Sequence, residues 1–120
     1  MEYTYSFEKL DIWKISIELS MRIYKSTSNF PSDEKFGIIS QLRRAATSIS
    51  ANIAEGSCRF GEKDKARFFQ IAYGSAIEVL NFLIISEKLN YINNEEVSSY
   101  RLTINELTNK INSYNNKIAK

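Results

Sequence analysis

The residues of this chain that could do chemistry are few, and most of them are basic. The sequence contains no histidine and one cysteine, Cys58. Histidine is the usual proton carrier near neutral pH, and catalytic or structural metal sites need clustered Cys, His or carboxylate ligands. A lone cysteine also lacks the neighbouring base that activates a nucleophile. Phosphate-loop and dinucleotide motifs are missing as well. We therefore predict no enzymatic activity, no metal and no cofactor.

The strongest candidate for ligand binding is a basic segment in the middle of the chain. Arg59, Lys63, Lys65 and Arg67 lie within nine residues, at the predicted start of a helix. Free amides at a helix start and basic side chains both favour anions, and each neutralised phosphate releases counterions. The segment is therefore a candidate nucleic-acid-binding site. Interspersed acidic residues leave open the alternative of an ordinary mixed-charge helix start.

A second group of polar residues lies among alanines in the preceding segment. Arg43, Arg44, Asn52 and Glu55 do not fit a simple apolar stripe. One interpretation is a solvated face. The other is a polar seam at an interface, in which an arginine satisfies Glu55 or Glu78, because the guanidinium fork matches a carboxylate. The second interpretation predicts that at least one of the two arginines is a structural ion-pair member.

Small residues in two segments suggest a close helix contact. Gly74 and Ser75 lie in mid-helix, where glycine costs about 1 kcal/mol relative to alanine. A missing side chain would let another helix approach, and Ala45 and Ala46 are suitable counterparts. We therefore predict that Gly74 lies in a tight contact between helices.

These residues are positioned by four helices, which the spacing of apolar residues predicts. The composition, 43% hydrophobic and 25% charged, is that of a globular domain, and the length fits one domain over residues 1–120. Apolar residues recur in steps of three and four between three short breaks. The predicted helices cover residues of about 7–26, 32–56, 62–89 and 94–117. Long helices joined by short breaks predict an all-α, antiparallel up-down-up-down four-helix bundle.

The first and third helices carry more apolar surface than one bundle core can use. Six isoleucines lie off the central stripes: Ile12, Ile15, Ile71, Ile77, Ile84 and Ile85. An exposed remainder would be an interface. We therefore expect a homo-oligomer. No apolar run approaches the roughly 20 residues of a membrane span, so we expect a cytoplasmic protein without membrane contact.

Three motifs resemble those of the 23S rRNA intervening-sequence family of four-helix bundle proteins. The central one is Gln41 to Gly56, reading QLRRAATSISANIAEG, and the others are Phe7 to Trp13 and Phe69 to Glu78. The resemblance extends over about residues 5–115. It includes Arg43, Arg44, Asn52, Glu55, Gly56, Arg59, Gly74, Ser75 and Glu78.

The resemblance implies a homopentameric ring without enzymatic activity. It also implies kinship with the accessory variability protein of diversity-generating retroelements, which binds reverse transcriptase and nucleic acid. RNA, DNA or such an enzyme is then the expected partner of this bacterial protein. Those accessory proteins are strongly basic, whereas this chain has a net charge of only +2. The competing hypothesis is a protein-interaction scaffold or accessory protein with no nucleic-acid contact.

Overall fold

The chain folds into four helices, as predicted, with no strand in the part that the structure describes. A computed structural model describes the backbone of residues 2–119 and the side chains of residues 2–117. The helices are α1 (Asp11–Thr27), α2 (Ile38–Ser57), α3 (Glu62–Lys88) and α4 (Asn94–Ala119). Short 3₁₀ turns at Ser6–Lys9 and Ser32–Glu34 precede α1 and α2.

Those turns move the starts of the first two helices several residues beyond the predicted positions. The Glu8 carboxylate accepts a hydrogen bond from the backbone N–H of Tyr5 at 2.8 Å, which closes a local turn. Leu10 then takes an extended conformation, so α1 begins at Asp11 and not at residue 7. Before α2, Gly37 lies outside the helical region, and α2 begins at Ile38 and not at residue 32. The last two helices begin where predicted.

Each helix packs on two neighbours, in the order α1, α2, α3, α4 around the core. Among the described residues, neither diagonal pair of helices is in contact. The fully buried core includes Leu19, Leu42, Ile49, Leu83 and Leu107. The pair α1–α2 and the pair α3–α4 therefore form opposite sides of the molecule.

Polar contacts along α1 and α4 fix the pairing of these two helices. The Arg22 guanidinium lies 4.3 Å from the ring centre of Tyr100 and donates to Ser99 Oγ at 2.9 Å. The Oη of Tyr100 lies 2.6 Å from Ser26 Oγ. Burial raises the pKa of Tyr100, so this contact is made by the neutral phenol. At the other end of α1, Asp11 pairs with Lys110.

The contact between α2 and α3 is built from small residues. Ala45, Ala46, Ala72 and Ala76 are all buried, but the predicted packing of the two α2 alanines against Gly74 is not found. At the end of α2, a Cβ on Gly56 would lie 2.9 Å from the Cβ of Phe68 and 3.1 Å from the ring of Phe69. Gly56 therefore permits the closest approach of α3 to α2.

The prediction of a tight contact at Gly74 is wrong within the bundle. Gly74 is exposed, and a Cβ there would meet no atom within 4 Å in the described part of the chain. The neighbouring Ser75 is buried, because it faces α2 while Gly74 lies one step around the helix, on the outside. The prediction therefore assigned the close contact to the correct helix but to the wrong face of it.

The helix α3 is unusually apolar for a helix of a small bundle. In the described residues it alone is long and apolar enough to cross a membrane, with a mean hydropathy of 1.6 over 18 residues. This finding differs from the prediction that no apolar run of the sequence approaches the length of a membrane span. Length and composition are weak grounds for a membrane span, because one face of α3 forms the bundle core. Only 33% of that window is buried in the single chain, however, and Ile71, Ile77 and Ile85 of α3 are exposed.

The two glycines provide a matched test of the α2–α3 contact. We expect Gly56→Ala to lower the free energy of unfolding by about 1–3 kcal/mol, because its Cβ would overlap Phe68. We expect Gly74→Ala to raise it by up to about 1 kcal/mol, since an open helical position gains propensity. Urea denaturation of both variants measures the difference. Equal effects of the two substitutions would contradict the assigned packing.

Candidate functional site

At the junction of α2 and α3, two arginines of the predicted basic segment form ion pairs and lie over the ring of Phe68. The guanidinium groups of Arg59 and Arg67 lie 4.5 and 4.6 Å from the ring centre of Phe68. Asp64 pairs with both arginines, at 3.7 Å to Arg59 Nε and 2.9 Å to Arg67 Nη2. Glu55 adds a further ion pair to Arg59 at 3.4 Å. We call these five residues the arginine clasp.

The clasp divides the four predicted nucleic-acid-binding residues into two kinds. Arg59 and Arg67 are engaged with carboxylates, so part of their charge is neutralised inside the protein. Lys63 and Lys65 have no carboxylate within 4 Å among the described side chains. Lys63 is exposed and Lys65 is half-buried. The two lysines are therefore the more available phosphate ligands of this segment.

The polar residues of α2 make contacts other than the predicted ion pairs. Arg43 Nε donates to Thr27 Oγ1 at 2.9 Å, and its guanidinium lies 4.5 Å from the ring centre of Tyr24. Arg43 therefore ties α2 to the end of α1 through neutral partners. Arg44 is exposed and has no carboxylate partner in the described residues. The prediction that Glu55 or Glu78 pairs with one of these arginines is wrong.

The two carboxylates of that prediction lie elsewhere on the surface. Glu55 is exposed and belongs to the arginine clasp, because Arg59 lies one helical turn after it. Glu78 is exposed on α3 and has no ion-pair partner in the described residues. Neither carboxylate is buried, so neither requires an internal cation.

Asn52 belongs to a short polar ladder between α2 and α3. Its Nδ2 donates to the backbone carbonyl oxygen of Ser48 at 2.8 Å and to Ser48 Oγ at 3.0 Å. Ser48 Oγ in turn lies 2.9 Å from Ser75 Oγ. These hydrogen bonds give Asn52 and Ser75 a structural role at the contact between α2 and α3.

Two grooves lie on opposite sides of the bundle, of which the one between α1 and α2 is mainly apolar and the one between α3 and α4 is lined by polar and apolar side chains. The groove between α1 and α2 has a volume of about 370 Å³ and includes Ile17, Met21 and Tyr24. The groove between α3 and α4 has a volume of about 440 Å³ and includes Ile77 and Leu102. Met21 is 68% exposed and Leu102 is 75% exposed, which is unusual for large apolar side chains. We call these surfaces the α1–α2 face and the α3–α4 face.

The predicted surplus of isoleucines is found in part. Ile71, Ile77 and Ile85 on α3 are exposed, and Ile15 and Ile84 are half-buried. Ile12 is fully buried in the core, so its assignment to the surplus is wrong. The predicted exposed set did not include Met21 and Leu102, because the apolar spacing of α1 and α4 does not show which side of the bundle each residue faces.

The two arginines of α2 are expected to differ in their effect on stability. Arg43→Ala removes the donor to Thr27 and the contact with Tyr24, and should lower the free energy of unfolding by about 1–2 kcal/mol. Arg44→Ala, at an exposed position, should change it by less than about 0.5 kcal/mol. Chemical denaturation of both variants checks the difference. A larger loss for Arg44→Ala would contradict the assignment.

Comparison with known proteins agrees with this architecture. A solved protein of unknown function from the S23 ribosomal protein family of Bacteroides thetaiotaomicron is similar, with a TM-score of 0.77 and 27% sequence identity. The similarity covers 87% of this chain and 97% of that protein. No curated protein matches the chain. Among the described residues, no three His, Cys, Asp or Glu side chains are grouped so as to hold a metal ion. Residues 8–113 match the family described as 23S rRNA-intervening sequence protein, and the chain therefore belongs to that family.

Proposed function

We propose that this protein is a non-catalytic bundle that assembles into a ring and binds nucleic acid or a nucleic-acid-processing enzyme in the cytoplasm. The observation that carries the assembly is the exposure of a large apolar side chain on each of two opposite sides of the bundle, Met21 on the α1–α2 face and Leu102 on the α3–α4 face. A single chain leaves both faces in water, although monomeric proteins rarely expose large apolar patches. The resemblance stated above favours five copies and a partner such as a reverse transcriptase.

An up-down-up-down order of the helices supports this arrangement of faces. The start of α1 contacts the late part of α4 through Asp11 and Lys110, and the end of α1 contacts the first turn of α4 through Ser26 and Glu96. The end of α2 at Gly56 likewise lies against the early part of α3. Because different helices line the two grooves, the grooves differ in composition.

Two different faces on opposite sides favour a head-to-tail contact between copies. If the α1–α2 face of one copy covers the α3–α4 face of the next, each added copy leaves one of each face open. Such a contact forms a closed ring when the rotation between copies closes, and a filament when it does not. The apolar surface of α3 that the bundle leaves uncovered supports the same arrangement.

The nucleic-acid part of the proposal is supported by the two lysines outside the arginine clasp. A ring repeats Lys63 and Lys65 in every copy, and five copies of a chain with a net charge of +2 carry a charge of about +10. A small patch on one chain then becomes a band of positive charge. Repeated weak phosphate contacts add up when they are held in one assembly.

The second candidate is a protein-interaction scaffold that makes no nucleic-acid contact. The clasp favours it, because Asp64 and Glu55 neutralise charge that nucleic acid would otherwise use. Nucleic-acid affinity that falls steeply with salt distinguishes the first candidate from this one.

The head-to-tail arrangement is tested by one substitution on each face. Met21→Glu and Leu102→Glu place a charge on the α1–α2 face and the α3–α4 face, and each alone should abolish large assemblies. Because each variant keeps the opposite face intact, an equal mixture should form a one-to-one dimer and nothing larger. Native mass spectrometry measures these species. Ser113→Glu, at an exposed site on α4 outside both grooves, is the matched control and should assemble as the wild type does.

A contact between two identical faces gives another result. One of the two variants would then assemble as the wild type does, and the mixture would contain no mixed dimer. That outcome would contradict the head-to-tail ring. Circular dichroism of each variant establishes that the helices are intact.

Phosphate binding by the two lysines predicts a specific change in salt dependence. We expect Lys63→Gln with Lys65→Gln to weaken RNA or DNA binding and to lower the slope of log affinity against log salt by about 1–2. The fold should be unaffected, because neither lysine is ion-paired in the described structure. Lys14→Gln with Lys88→Gln removes the same charge at exposed sites and is the control. Equal slopes for both pairs would remove this segment from the site.

A further inference from the structure

A cleft at one end of the α3–α4 face is lined mainly by side-chain amides and basic residues. It lies between the start of α3 and the end of α4 and has a volume of about 520 Å³, which is within the range of small-ligand sites. Its polar lining residues are Lys63, Arg67, Gln70, Tyr73, Asn112, Asn115 and Asn116. We call it the amide cleft.

The helical repeat explains why these residues meet. Lys63, Arg67 and Gln70 follow one another at steps of four and three along α3, so they form one stripe. Asn112 and Asn116 form the matching stripe on α4, one turn apart. Packing of α3 against α4 brings the two stripes to opposite walls of the cleft.

The composition of the cleft selects a class of ligand. Its walls carry two cations, four side-chain amides and one phenol, and no carboxylate among the lining residues. The cleft between α1 and α4 differs, because Glu95 and Glu96 line it together with Arg22 and Lys25, so that the formal charges of its lining cancel. The amide cleft therefore suits a ligand that is anionic and rich in hydrogen-bonding groups.

Nucleotides have this combination of groups. An amide side chain both donates and accepts, which allows it to pair with a base edge in two places. Lysine and arginine bind phosphate, and an aromatic ring offers a surface on which an unpaired base stacks. Tyr73 lines both this cleft and the neighbouring groove that contains Ile77 and Leu102.

Two polar groups at the cleft have unused hydrogen-bonding capacity. Asn115 Nδ2 donates to the carbonyl oxygen of Ala66 at 3.3 Å, and this contact fixes the orientation of the amide. Its Oδ1 is then shielded from solvent and has no donor in the described structure. Arg67 uses Nε and Nη2 on Asp64, which leaves Nη1 for a phosphate oxygen.

We propose that the amide cleft binds one unpaired nucleotide of a single-stranded nucleic acid, with phosphate on Lys63 and Arg67 and the base between Tyr73 and the amides. This rests on the proposed nucleic-acid function and assigns its site. Because Tyr73 lines both the cleft and the groove that contains Ile77 and Leu102, the cleft lies at the border of the surface that the ring contact would cover. Each copy would then present its cleft at the edge of a subunit contact.

Binding of short labelled strands to the full chain tests the assignment. The probes are fluorescein-labelled RNA strands of about 12 nucleotides, oligo(A) and oligo(U), and the DNA strand oligo(dA), followed by fluorescence anisotropy at several salt concentrations. The RNA and DNA arms distinguish the two sources of the same chemistry. The molar mass of every variant is measured in parallel.

Three variants remove separate parts of the cleft while leaving the helices intact. Tyr73→Leu removes the stacking surface and keeps an apolar side chain, and should weaken binding about five- to tenfold. Gln70→Ala with Asn112→Ala removes amide contacts and should weaken binding about tenfold with an unchanged salt slope. Lys63→Gln should lower the salt slope by about 1. The controls Asn81→Ala and Lys88→Gln, at exposed sites on α3 outside the cleft, should bind as the wild type does.

The outcomes separate this assignment from the function on which it rests. A wild-type protein that binds none of the three probes even at low salt overturns both. A wild-type protein that binds, with cleft variants equal to the controls, overturns the cleft and leaves nucleic-acid binding standing. Weakened binding accompanied by loss of assembled mass also overturns the cleft, because the residues would then act through assembly.

Discussion

The close contact between α2 and α3 is the interaction on which the rest of the molecule depends. Gly56 lets Phe68 approach the end of α2, and the alanines of both helices continue that contact toward the middle of the bundle. With Phe68 held there, Arg59 and Arg67 stack on its ring and share Asp64. The same contact therefore decides which basic groups are used inside the protein and which remain available, and it places the start of α3 beside the end of α4.

The second consequence of that contact is the apolar surface that it leaves uncovered. Ser75 of α3 faces α2, whereas larger residues such as Ile71 and Ile77 are exposed. On the opposite side of the bundle, Met21 of α1 is exposed. Covering both sides with a second and third copy would bury apolar surface without any change in the bundle. Each buried square ångström is worth roughly 25 cal/mol before the costs of association are subtracted.

The sequence predicted the helices well because apolar spacing reports burial directly, whereas partners across helices leave no local signal. The starts of α1 and α2 were misplaced because the Glu8 turn and the backbone of Gly37 override the apolar pattern. Gly56 resembled a simple helix end, and only the fold shows that it is the close-packed glycine. Arg43 is an ionic residue with neutral partners, which its charge did not suggest. The spacing of Asn112 and Asn116 was visible, but it gained meaning only when α4 was placed beside Lys63.

The central claim is that this chain completes its apolar faces only in an assembly with copies of itself. The most direct test is the molar mass of the wild-type protein by light scattering at micromolar concentration, in about 0.1 and 1 M salt. The account predicts several times 13.9 kDa, about fivefold if the ring has five copies. The mass should not fall in high salt, because salt screens charge contacts and not apolar ones. A mass of 13.9 kDa under these conditions would contradict the account.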